Sequence, residues 1–145
     1  MKAIFELDDD GYPTAECLAS ISITRPSEGQ TQPDWILETM AGIRGIWQYD
    51  CWHETDGKEE IWGLPARRIL ASTMGWSGNE DLIRAWKSNF ILWHLTWRIH
   101  QVGGHYTFEV RLEDPPPYKP QSETQTQTWE ESDLELMTAE ESQQR

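Results

Sequence analysis

The residues best suited to chemistry fall in two short stretches, Gly75-Trp76-Ser77-Gly78-Asn79-Glu80 and Gly103-Gly104-His105-Tyr106. A glycine-broken loop that feeds a helix leaves backbone amides free, and the helix dipole adds partial positive charge there. That combination suits a phosphate or a carboxylate. Trp76 can stack on a planar ring and Asn79 can read polar edges, while Arg67, Arg68 and His105 can neutralise charge. With Ser77, Gly78, Glu80 and Gly104 these residues form a candidate site for a nucleotide-like ligand. Against it, no lysine follows the glycines, so the loop is not a P-loop. Glu80 and Asp81 also complement the dipole from within the first turn. Ser77 and Glu80 have the spacing of a capping box, and a capped helix entry with a packed Trp76 is the simpler reading.

Covalent catalysis finds less support. Ser77 lies in Gly75-Trp76-Ser77-Gly78-Asn79, which lacks the closing glycine of a nucleophile elbow. His105 as general base with Glu80 orienting it defines a small-hydrolase alternative, although nothing in the spacing brings them together. Cys51 and His53 share one face of a presumed strand, and His94, His100 and His105 cluster late. A spacing of six does not bring His94 and His100 together on a helix. No four-ligand zinc pattern exists, so neither a metal nor a cofactor is expected.

Nine tryptophans in 145 residues supply large apolar surfaces, yet mean hydropathy is −0.70 because polarity is unevenly spread. Residues 113–145 carry nine acids against two bases, and residues 1–112 carry sixteen acids against ten bases. Both parts are acidic, which disfavours nucleic acid and anionic membrane as partners and favours basic protein surfaces. The opening residues do not read as a signal peptide, and the longest apolar run, residues 90–97, is too short for a membrane span. The expectation is a cytoplasmic protein with Cys17 and Cys51 reduced.

The elements that must position these residues follow from periodicity. Residues 3–7 read as a strand ended by Asp8-Asp9-Asp10-Gly11. Thr14 is placed to cap a helix over residues 15–21, and Thr31 or Asp34 a second over residues 35–40, fading at Gly42 or Gly45. A hairpin follows, with strands over residues 46–54 and 61–72 and the Asp56-Gly57 pair as its turn. Pro65 makes the return strand an edge or breaks it. A long helix over residues 79–102 would place Ile83, Trp86, Phe90, Trp93 and Trp97 on one stripe, closed by Gly103-Gly104 as a C-cap. Tyr106, Phe108, Val110 and Leu112 alternate as a half-buried strand.

The fold class is therefore α+β. A small antiparallel sheet of the hairpin and the GGHY strand, with the N-terminal strand as an optional member, packs against one long tryptophan-rich helix and two short helices. Residues 1–112 form the globular domain. Residues 113–145 have the composition of a disordered tail, with Trp129, Leu134 and Leu136 either a linear motif or incidental apolars.

The pattern Ser72-Thr73-x-Gly75-Trp76-Ser77-Gly78-Asn79-Glu80, then Trp93, Trp97 and Gly103-Gly104-His105-Tyr106-x-Phe108-Glu109, resembles a family of short uncharacterised proteins of phages and prophages. The Gly11-Tyr12-Pro13-Thr14 entry is similar too, so the resemblance spans roughly residues 5–110; Met74 stands where such proteins often carry glycine. The resemblance implies a viral or mobile-element origin and no particular activity. Joined to the acidity and the lack of a catalytic constellation, it leads to a non-enzymatic accessory protein that binds and inhibits a host protein, with the nucleotide-like ligand and the hydrolase as alternatives.

Overall fold

The computed structural model describes residues 2–114; the expected tail and its Trp129 segment lie outside the described residues. Element order is α1 (Ala15–Ile23), α2 (Gln32–Ile46), β1 (Trp52–Lys58), β2 (Pro65–Ser72), α3 (Ser77–Ser88), α4 (Phe90–Thr96), β3 (Trp97–Gln101) and β4 (His105–Arg111). The four strands form one antiparallel sheet in the order β1-β2-β4-β3. The fold is α+β, as the periodicity implies.

Thr14 and Thr31 cap α1 and α2, accepting from the amides of Cys17 and Asp34. Helix α2 runs past Gly42 to Ile46; position 42 is glycine because the Phe5 ring occupies the space a side chain there would need, and this does not end the helix. Trp47 caps α2 and β1 begins only at Trp52, so residues 46–51 fall outside the expected first strand. Asp56 and Gly57 are not a turn either: they lie inside the ladder, opposite Arg67 and Ala66. The turn sits later, where the buried Glu59 carboxylate accepts the amides of Ile61, Trp62 and Leu64 at 3.1, 2.5 and 3.3 Å. Burial alone would push the Glu59 carboxyl up. The amides of Leu64, Trp62 and Ile61, with Arg111 nearby, outweigh it and hold the group below its ordinary 4.5. Pro65 opens β2 opposite the last residue of β1, where a missing donor is harmless.

Residues 3–7 join no sheet strand. Leu7 makes a single bridge to Pro13, and Ile4 exchanges hydrogen bonds with the Ser20 hydroxyl. The alternation of Ala3, Phe5 and Leu7 instead packs this extended segment against the core.

The expected long helix is two helices and a strand. Asn89 breaks it: its fully buried amide donates to the carbonyls of Ile21 and Thr24, and its oxygen accepts from Leu92 N–H and Arg25. One side chain thus ties off α1 and starts α4. After Thr96 the chain becomes β3, so Gly103 and Gly104, at φ +98° and +79°, turn a hairpin into β4 rather than capping a helix.

The core lies on one side of the sheet. Tyr106, Phe108 and Val110 of β4 alternate inward with Ile69 and Ala71 of β2. Trp86 of α3 stacks on Phe108 with centroids 3.7 Å apart, lies 6.4 Å from Trp52 and meets Trp93 edge-on. Its indole N–H reaches the Thr96 hydroxyl at 3.0 Å. The stripe is therefore interior only in part: Ile83 and Trp86 are buried, whereas Phe90 and Trp97 are exposed.

Candidate functional site

The loop between β2 and α3 is a tight turn in which Trp76 N–H reaches Thr73 O at 2.9 Å. Its two central residues are both left-handed, Met74 at φ +51° and Gly75 at φ +70°. Glycine takes that conformation freely; a side chain there costs about 1–2 kcal/mol. The other left-handed residue with a side chain among the described residues is Tyr49, at φ +65°. Both strained residues flank Trp76, and both expose 63% of their surface.

Trp76 stacks on Tyr12 at 4.7 Å between centroids and meets Tyr49 edge-on at 6.2 Å. The indole edge lies on Gly78, where an added Cβ would come within 2.6 Å of the Trp76 nitrogen. That indole N–H is buried and has no hydrogen-bond partner among the described residues. Tyr12 is held by the Asp8 turn, in which one Asp8 oxygen accepts the amides of Asp10 and Tyr12 at 2.9 and 3.0 Å. The product is an aromatic platform of Tyr12, Tyr49 and Trp76 beside Met74. The exposed acids Asp8, Asp9 and Asp10 adjoin Tyr12 in sequence, and Asp50 adjoins Tyr49.

The sequence-predicted residues divide around this platform. Trp76 is its centre, and the Ser77 hydroxyl points to the Tyr12 hydroxyl at 3.5 Å. Ser77 does not cap α3; Trp76 occupies the cap position and makes no side-chain cap bond, so the expected capping box is absent. Asn79 is fully buried and available to no ligand. It clamps Gln48 from both sides, accepting its N–H and donating to its carbonyl, each at 2.9 Å. That clamp sets the chain direction just before Tyr49.

Glu80 and Gly104 lie instead in an adjoining cleft of about 330 Å³, with Thr73, Ile83, Arg84, Lys87, His100 and Tyr106 on its walls. Burial, and after it the nearby Glu80 charge, push the Tyr106 hydroxyl up. His105 is exposed at the start of β4, against Gly103. Arg67 and Arg68 lie five and four positions along β2 from Ser72, about 13–17 Å away at strand rise. There Arg67 pairs with Asp56 and Glu54, and Arg68 with Glu109. No hydrogen bond links Ser77, Glu80 and His105. Among the described residues no three histidine, cysteine, aspartate or glutamate side chains are grouped to hold a metal. No described helix is long and apolar enough to cross a membrane.

Neither family models, nor curated proteins, nor solved structures match this chain. Periodicity could not single out Tyr12 and Tyr49, which reach Trp76 from 64 and 27 positions away; the signal that could have found Tyr12 was its place in the motif-bearing Gly11-Tyr12-Pro13-Thr14.

Proposed function

We propose that this chain is a non-enzymatic binding protein that holds a basic surface of a partner protein on the Tyr12-Tyr49-Trp76 platform. The resemblance noted above supports a phage or prophage origin, with a host protein as the partner and its inhibition as the outcome. One observation carries the reading: among the described residues, both left-handed residues with side chains are placed so as to present exposed Tyr49 and Met74 around a partly buried tryptophan. Strain of that kind is retained where presentation matters more than stability. Tryptophan, tyrosine and methionine are the residues enriched at the centres of protein interfaces. The adjoining aspartates add an acidic rim, which steers a basic partner and makes its capture sensitive to salt.

The test compares capture from bacterial lysate by the wild-type chain and by Trp76→Ala, Tyr49→Ala and Trp62→Ala. Trp62 is as exposed as Tyr49, at 63%, but lies on the β1–β2 turn. The reading expects one retained protein to be lost from the first two variants, kept by the third, and released by salt. Retention unchanged by Trp76→Ala, or loss caused equally by Trp62→Ala, would end it.

A further inference from the structure

Charge is segregated along this acidic chain. Residues 82–108 contain no acid and carry Arg84, Lys87, Arg98 and three of the four histidines. The fold gathers that stretch around β3, one of the two outer strands of the sheet. All five residues of β3 are exposed, among them Trp97 and Ile99, and Val102 just beyond is 99% exposed. One edge of β3 bonds to β4; no described strand pairs with the other. An open, partly apolar edge is a template for a further strand unless something guards it. The opposite outer strand, β1, is guarded by charge: Glu54 pairs with Arg44 and Arg67, and Asp56 with Arg67.

Around β3 cations predominate but are partly spent: Arg84 pairs with Asp81 at 2.6 Å, and Arg98 shares a surface hollow with Glu113 and Asp114. Lys87 forms no ion pair among the described residues and stands 5.4 and 5.7 Å from the ring centres of Trp93 and Tyr106. His100 of β3 stacks on Tyr106 at 4.3 Å and shares the 330 Å³ cleft with Lys87 and Arg84. Glu80 is the acid of that cleft and lies seven positions from Lys87, about 10 Å along the helix. On the other face of β3, Arg98 contacts Glu109 at a loose 3.8 Å.

We propose that the open edge of β3 accepts an acidic, extended segment of a partner protein as a fifth strand. Main-chain hydrogen bonds along β3 supply the pairing, and alternate side chains of the incoming strand meet the two faces. Those on the helix side meet the Arg84, Lys87 and His100 cleft; those on the other meet Ile99 and Arg98. A register irregularity between Trp97 and Ile99 confines regular pairing to a few residues. Affinity therefore depends on the charges. The inference does not rest on the platform, whose complement has the opposite sign.

The experiment uses the full chain and two ten-residue peptides, one alternating glutamate with valine and one alternating lysine with valine. Amide hydrogen exchange is followed residue by residue. The expected result is new protection within residues 97–101 with the glutamate peptide alone, lost at about 1 M salt, where the screening length falls to about 3 Å. The double variant Arg84→Glu with Lys87→Glu, folded by circular dichroism, loses the glutamate peptide, whereas Trp76→Ala keeps it. Protection by both peptides or neither, protection on β1 instead, or protection in the free chain of those β3 amides that point away from β4 would overturn the assignment. In the last case sedimentation identifies whether a second copy is the occupant.

Discussion

Trp86 and Trp76 lie ten residues apart on either side of the first turns of α3, and the fold uses them in opposite ways. Trp86 is fully enclosed, stacked on Phe108, and its N–H is satisfied by Thr96. Trp76 is only partly buried, stacked on a tyrosine that is itself partly exposed, and its N–H has no partner among the described residues. The first indole joins helix to sheet. The second is held in place by strained neighbours that contribute little to the interior. Enclosure with a satisfied donor marks a residue that serves the fold; partial exposure with an unsatisfied donor and costly neighbours marks one that serves a surface.

The sharpest way to break this contrast is to truncate both rings. Trp86→Ala removes the centre of the aromatic stack and should cost about 3–5 kcal/mol in urea unfolding. Trp76→Ala should cost clearly less; equal losses would erase the distinction. Asn89→Ala comes next. It strips the buried carbonyls of Ile21 and Thr24 of a donor and α4 of its cap, for a loss of about 2–3 kcal/mol by the same measurement.

Much of the architecture was legible because its causes are local. The Thr14 and Thr31 caps, the β4 alternation and the α+β class all follow from residues that lie close in sequence. The break at Asn89 was not, since its carbonyl partners are 68 and 65 positions away. A helical step of three or four also suits Phe90, Trp93 and Trp97, so periodicity alone could not show where α4 gives way to β3. The Asp56-Gly57 pair looked like a turn because nothing local reveals that Glu59 gathers three amides just beyond it. At the candidate site the loop was found but its roles were not: Asn79 reads as a ligand-binding side chain until its Gln48 clamp is seen.

Smaller effects refine the comparison. Asn79→Ala should cost about 1–3 kcal/mol by leaving the Gln48 main chain unpaired. It should also weaken partner capture without removing any platform ring. Trp76→Phe loses no hydrogen bond, so its thermal stability should stay within about 1 kcal/mol of wild type. Met74→Gly relieves a left-handed side chain and should gain up to about 1 kcal/mol; a loss would show that Met74 is held by packing. The smallest effect concerns acid. Because Glu59 titrates below 4.5 in the folded chain, its contribution is complete above that value and fades as pH falls through the lower folded value. Glu59→Gln should flatten that part of the stability profile, and an unchanged profile would remove Glu59 from it.

The Gln48 clamp has a consequence for recognition. Tyr12, Tyr49 and Trp76 belong to three stretches of chain brought into register by Asn79, the Asp8 turn and the Thr73 turn. No short synthetic copy of the loop reproduces their arrangement. A reagent raised against the intact surface would report native folding directly, and unfolded chains would be invisible to it.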